Sequence, residues 1–189
     1  MTSAPPKEPG TGISCTATDC ENGLHCYRPK RSPKEWANPP GACQQCGDRS
    51  VDWDRVKRRD LNDAAALQAE LKKEWIRSHF WTKPLDQRSI AQLASTARSE
   101  TRSRIRSELA KVVGPPRPFR DGNRVPIRDE KLEGHPIYYA QHATASCCKK
   151  CAYYWWGFAR DRQYTNEQID FLTDMCLGFF DARGYLPKK

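Results

Sequence analysis

No stretch of this chain approaches the roughly 20 consecutive apolar residues that a membrane-crossing helix needs, so a helical span is excluded. The opening residues, MTSAPPKEPGTG, contain no apolar core of the kind a secretory signal carries, and a cytoplasmic protein is expected. There is no glycine-rich phosphate loop, no Ser-His-Asp order and no supported carboxylate pair, which removes the kinase, hydrolase-fold and glycosidase chemistries. Acidic residues are in the minority, 23 against 32 Lys plus Arg, and the resulting formal charge of +9 favours an acidic partner. Apolar residues are also scarce for 189 positions, at 38%, so part of the stability is expected to come from bound metal rather than from a large core. No internal repeat is visible.

Cysteine is what the chain has in excess. Nine thiols form an odd count and cluster in C-x2-C knuckles, which in a chain without an export signal points to metal rather than to disulfides. The densest cluster is HPIYYAQHATASCCKKCAYYWWGF, from His135 to Phe158. It offers His135, His142, Cys147, Cys148 and Cys151 as soft ligands. Cys148 and Cys151 form a knuckle, while Cys147 and Cys151 would share one face of a helix that begins near Ser146. His142 would supply a nitrogen from the preceding turn, and a helix N-terminus would lower the thiol pKa values.

The segment GHPIYYAQHATASCCKKC resembles the signature of a small bacterial family of unknown function, whose members run G-H-P, an apolar pair, A-Q-H-A-T-A, then C-C-x-x-C. The likeness extends over about residues 75 to 180 and implies a metal-binding fold with no established activity. One departure stands out: members continue with Trp-His-Gly, where this chain reads Trp155-Trp156-Gly157. If that histidine is a ligand elsewhere, another group must complete the shell here, and Cys176, His135 and His79 are the candidates.

A second ligand cluster lies near the N-terminus. Cys43-Gln44-Gln45-Cys46-Gly47 has the form of a zinc knuckle, in which the glycine lets backbone N–H groups turn toward the sulfurs. The remaining ligands must come from Cys15, Cys20 and Cys26, with His25 a weaker candidate. Cys20 and Cys26 are favoured, and spacing leaves Cys15 open. An iron–sulfur cluster is the alternative to zinc, although the spacings match no common ferredoxin pattern. Around the intervening loop, Arg28, Lys30, Arg31 and Lys34 interleave with Tyr27 and Trp36, a mixture that serves phosphates and bases or simply a solvated loop.

The rest reads as helices. Val56, Ala64, Leu67, Leu71 and Trp75 form one stripe, and Ile90, Leu93, Ala97, Ile105, Leu109 and Val112 form another on a helix expected from about Asp86 to Val113. Arg98, Arg102 and Arg106, four residues apart, make a basic line that either follows a phosphate backbone or is a solvated face partly neutralised by Glu100 and Glu108. Gly114-Pro115-Pro116 ends this helix. The run Tyr153 to Trp156 must place rings on all sides of a helix, as core or as a stacking platform. Thr165-Asn166-Glu167-Gln168 is a capping box that opens a last helix with Ile169, Leu172, Met175, Cys176 and Phe179 inward.

The expected organisation is a disordered tail over 1–12, a zinc module over 13–50, helices over 51–113, a connecting loop over 114–134 and a His/Cys metal-binding helical region over 135–189. The fold class is mainly α, a small helical domain stabilised by about two zinc ions. The leading function is nucleic-acid binding, DNA or RNA, by an accessory or regulatory factor with structural metals. A metal-dependent hydrolytic enzyme of nuclease type at the His142/Cys151 site is one alternative, and an iron–sulfur or thiol redox sensor is the other.

Overall fold

The structure, a computed structural model, describes residues 14–28, 37–119, 121–122 and 134–187. The expected tail, Lys30, Arg31, Lys34 and Trp36, and most of the expected 114–134 loop lie outside these residues. The fold is mainly helical. Among the described residues there are eight α-helices and no strands, only two isolated β-bridges. The helices are α1 (Trp53–Arg58), α2 (Ala64–Leu71), α3 (Trp75–Thr82), α4 (Gln87–Ser95), α5 (Arg98–Val112), α6 (Pro136–Ala143), α7 (Lys149–Trp156) and α8 (Asn166–Ala182).

The first apolar stripe is real but is divided over three helices. Asp52 caps α1 by accepting the Arg55 N–H at 2.9 Å, and Arg59 stops the helix in the left-handed conformation, φ 53°. That residue is held in place by its guanidinium, which donates to Trp156 O at 2.8 Å. A further turn, with Glu74 extended, separates α2 from α3. Val56, Leu67 and Leu71 are buried, as their spacing requires.

The long helix expected from Asp86 to Val113 is likewise two. Asp86 caps α4 through the Ser89 N–H at 2.8 Å. Thr96 then bonds its hydroxyl back to Gln92 O at 2.7 Å and turns extended, so side chains compete with the helical ladder and end it. Leu93, Ile105, Leu109 and Val112 are buried, whereas Ala97 falls in the break and is exposed.

The arginine row lies on the flank of α5 that faces α8, and it is occupied. Arg98 pairs with Asp181, Arg102 with Asp174 at 2.7 Å and Asp170 at 3.3 Å, and Arg106 with Asp170 at 2.8 Å. Neither a solvated face nor an open phosphate track describes it; it is an interhelical ladder. Sequence periodicity placed the row correctly but carried no sign of its partners on α8, about 70 residues away. Thr165 and Gln168 complete the capping box that opens α8, with reciprocal bonds of 3.3 and 3.0 Å.

Helix α6 packs on both α3 and α8, and α5 packs on α8, around a core rich in rings. Phe80, Tyr139, Trp155, Trp156, Phe179 and Phe180 are fully buried within it. The four-ring run of α7 divides by face: Trp155 and Trp156 enter the core, Tyr154 is half-buried and Tyr153 is 54% exposed. Cys176 is core as well, 3.2 Å from the Thr144 hydroxyl.

The ladder generates a test. The Arg106 hydrogen bond, opposed by slight burial and aided by Arg102, holds the Asp170 carboxyl below the usual range. Its stabilisation is therefore full above about pH 4 and is lost as pH falls through the depressed value. Arg102→Gln is expected to cost about 0.5–1 kcal/mol, since these pairs are about one-third exposed. That corresponds to roughly 2 °C in Tm for a chain of this size, in low salt at neutral pH. An unchanged Tm would mean that the ladder holds nothing.

Candidate metal centres

The N-terminal cluster brings Cys20, His25, Cys43 and Cys46 together, with all four ligand atoms within 4.8 Å of one another. Cys20 Sγ and Cys43 Sγ are 3.9 Å apart, and Cys46 Sγ lies 3.4 Å from His25 Nδ1. A tetrahedral ion with sulfurs at about 2.3 Å requires S···S edges of roughly 3.8 Å, so these groups can hold a metal ion with little movement. The ring orientation fits the same purpose. Nδ1 faces the sulfurs, and Nε2 lies 3.5 Å from Asp48 Oδ1, the carboxylate–histidine arrangement that fixes a ligating imidazole.

Local backbone builds this site. Gly47 takes φ 82°, the left-handed turn a knuckle needs, and its N–H closes on Cys43 O at 2.9 Å. Burial opposes the Cys43 thiolate, but backbone N–H groups of Cys46, Cys26 and Gln45 outweigh it and bring its pKa down to about 6. Burial and the neighbouring Cys46 and Cys43 thiols push Cys20 up to about 12. Asp48 is itself anchored, accepting from Tyr27 Oη at 2.8 Å and from Ser50 Oγ at 2.7 Å.

This membership differs from the favoured pairing of Cys20 with Cys26. His25, the weaker candidate, is in the cluster, and Cys26 is outside it. The Cys26 side chain is buried with its thiol 3.7 Å from Cys15 O, and the residue serves the site through its backbone. In a locally extended segment adjacent side chains point opposite ways, so either His25 or Cys26 can face the knuckle but not both. The β-bridge from His25 to Glu74, with bonds of 2.8 Å from His25 N to Lys73 O and from Trp75 N to His25 O, selects the histidine.

The second cluster is Cys147, Cys148 and Cys151, again within 4.8 Å of one another and all buried. Cys148 is the N-cap of α7, its sulfur 3.4 Å from the Cys151 N–H. The helix therefore begins after the adjacent pair rather than near Ser146, and the three sulfurs converge from an extended segment and the first turn. The histidines stand elsewhere. His142 Nδ1 pairs with Tyr138 O at 2.8 Å, and burial together with Arg77 lowers its pKa to about 4, against smaller opposing contributions from Tyr138 and Cys151. His135 caps α6 beside Tyr138, and His79 stacks on Trp75. Trp156, at the position of the resembled family's histidine, donates to Thr144 O at 3.1 Å and packs on Phe171.

What meets the sulfurs instead is a guanidinium. Arg77, 2% exposed, donates to Cys151 Sγ at 3.0 Å, to Cys147 Sγ at 3.7 Å and to His142 O at 2.6 Å, and its Nε bonds Glu74 at 3.0 Å. Glu74, equally buried, also accepts from Trp155 Nε1 at 2.9 Å. Hydrogen bonds from the Cys147 and Cys148 thiols, then Arg77 and Arg28, hold Cys151 well below the ordinary thiol range despite burial. The same sulfurs act on Arg28: burial opposes its charge, but Cys151, Cys15, Cys148 and Cys147 raise its pKa. Cys15 is partly buried beside the same groups, with Cys151, Arg77, Arg28 and Glu74 as its charged neighbours. Glu74 and Arg77 were missed in the sequence, where a Glu and an Arg three apart on a helix are the ordinary sign of a solvated pair.

Two substitutions test this geometry. Asp48→Asn is expected to weaken metal retention at the first cluster by about tenfold, read by competition with a chromophoric chelator. Burial opposes the Asp48 charge, but Ser50, Tyr27 and His25 bring its pKa down to about 2, so its support is full above about pH 4 and disappears as pH falls through 2. Arg77→Met is expected to cost about 3 kcal/mol in denaturant unfolding by leaving Glu74 buried and unpaired, with partial recovery in Arg77→Met/Glu74→Gln. Equal losses in the single and double variants would mean the two charges are not coupled.

A family model described as a domain of unknown function, DUF4186, matches residues 65–181. No solved structure matches the chain. The match runs from the start of α2 almost to the end of α8 and includes Glu74, Arg77 and the second thiol cluster, while the four groups of the first cluster lie before it. With well over half of its residues inside that match, the chain belongs to the DUF4186 family, a domain of unknown function.

Proposed function

We propose that this protein binds two zinc ions as structural elements and uses the surface they assemble to recognise nucleic acid. The convergence of Cys20, His25, Cys43 and Cys46, with Asp48 behind the imidazole, is the observation that carries the metal reading. Three thiolates and one imidazole form a usual donor set for structural zinc.

At the second centre the ligands are Cys147, Cys148 and Cys151. Three thiolates around one zinc carry a net charge of about −1, which the Arg77 guanidinium at Cys151 offsets. A hydrolytic zinc needs a position open to water, and three sulfurs no more than 5% exposed speak for a closed site. The nucleic-acid part rests on the formal charge of +9 and on the exposed ring of Tyr153, since the arginines of α5 are already engaged by α8.

Elemental analysis and an absorption spectrum on protein purified without oxygen are expected to give about two zinc ions and no visible colour. Cys148→Ser/Cys151→Ser is expected to lower the content to about one, and Cys26→Ser to leave it at two. Iron with a brown chromophore, or Cys148→Ser/Cys151→Ser retaining two zinc ions, would overturn the assignment. Affinity for DNA or RNA is expected to fall steeply with salt, and Arg98→Gln/Arg102→Gln/Arg106→Gln to leave that slope unaltered. Binding that is absent at low salt would sink the recognition part.

A further inference from the structure

A single line of short bonds runs from the first candidate centre to the second. His25 places its imidazole among the sulfurs of the first, while its backbone grips the chain at the start of α3: His25 N donates to Lys73 O and Trp75 N donates to His25 O, both at 2.8 Å. Glu74 lies between those two bonds, extended and paired with His25 as a parallel β-bridge. Because side chains alternate along extended backbone, the same pairing fixes which way the Glu74 carboxylate points. That carboxylate, in a residue 1% exposed, accepts from Arg77 Nε at 3.0 Å, and Arg77 donates onward to Cys151 Sγ at 3.0 Å. One end of the line is a candidate ligand of the first centre, and the other end is a candidate ligand of the second.

What can change along this line is the order of the segment that carries His25. Among the described residues, 14–28 and 37–50 hold no helix longer than the three-residue turn Cys20–Asn22, and Cys26, Tyr27, Ala42 and Cys43 are their only buried apolar side chains. A segment with so little regular structure and so small a core depends on bound metal for its order. When ordered it presents His25 to the Glu74 segment, and when disordered it takes both 2.8 Å bonds away. A carboxylate released from such a fixed position is better served by water than by one guanidinium. Arg77 then loses the group that aims its fork at Cys147 and Cys151.

We infer that the two centres fill cooperatively: metal in the first, by ordering His25 against Glu74, raises the metal affinity of the second through Arg77. Three thiolates and one zinc leave about one negative charge in the interior, and a guanidinium fixed against Cys151 stabilises that charge where a mobile one does not. Linkage makes the effect reciprocal, so a filled second centre strengthens the first by the same factor. The inference rests on the metal part of the proposed function and gives the two ions a dependence on each other that independent structural sites lack.

The test measures zinc affinity on the full reduced chain by competition with a chromophoric chelator. Cys43→Ser/Cys46→Ser leaves only the second centre, and Cys148→Ser/Cys151→Ser leaves only the first. The overall constant of the unaltered chain for two zinc ions is expected to exceed the product of the two separate constants by about tenfold, within the roughly 5–150-fold span of coupled sites. Measured in an Arg77→Lys background, which keeps the cation and loses the fork, that excess is expected to shrink to about twofold or less. Should Cys148→Ser/Cys151→Ser fail to fold, amide exchange decides with the other variant alone: with zinc held in the second centre, the Trp75 N–H of Cys43→Ser/Cys46→Ser is expected to exchange about tenfold faster than in the unaltered chain. An overall constant equal to the product, or Trp75 exchange indifferent to Cys43→Ser/Cys46→Ser, overturns the coupling and leaves two structural zinc ions standing. An excess that survives Arg77→Lys overturns the route through Arg77. An unaltered chain that retains fewer than two zinc ions overturns both the coupling and the reading on which it rests.

Discussion

A carboxylate and a guanidinium taken wholly out of water set the terms for this molecule. Glu74 and Arg77 could not be buried alone, because each would face a desolvation cost of several kcal/mol without a partner. Their mutual bond is therefore only the start. The Trp155 indole satisfies the carboxylate, and the guanidinium spreads its N–H groups over His142 O and the sulfurs of Cys147 and Cys151. The requirement to use every donor brings α3, the end of α6 and the start of α7 into one register. Backbone bonds on either side of Glu74 meanwhile fasten His25, so the same short segment indexes the first cluster as well.

That arrangement explains why spacing finds the two cysteine knuckles more readily than the groups that meet them. C-x2-C spacing is a local constraint, and both knuckles converge as spacing requires. Helix signals that depend on neighbouring residues also hold, such as the capping box at Thr165 and the stop at Gly114. Which further group joins each cluster depends instead on tertiary contacts. His25 faces the knuckle because a bridge to Glu74 turns it there, and Arg77 reaches Cys151 from 74 residues away. The arginines of α5 share this lesson from the other side: four-residue spacing reveals a row, but Asp170, Asp174 and Asp181 decide what the row does. The breaks at Arg59 and Thr96 were hidden because apolar periodicity continued across them, while a bond from the Arg59 side chain to the distant Trp156 carbonyl holds one break and the Thr96 hydroxyl, bonded back to Gln92, makes the other.

The two clusters also differ in setting, and the difference is chemical. The first is assembled from turns, shielded on one side and supported by an anionic residue behind its imidazole. The second is enclosed by helices and surrounded by positive charge. Such opposite surroundings give the sulfurs different tasks in tuning charge: at Cys43 the backbone amides supply the stabilisation, at Cys151 the side chains do.

The bridge between His25 and Glu74 has a consequence for how the protein is made. All four groups of the first cluster leave the ribosome within a short N-terminal stretch, whereas Cys151 follows roughly 100 residues later, some 5–20 s at ordinary rates of synthesis. The edge at His25 is therefore synthesised before the segment around Glu74 that pairs with it, and the bonds between the two tie the first cluster to the helical region that encloses the second.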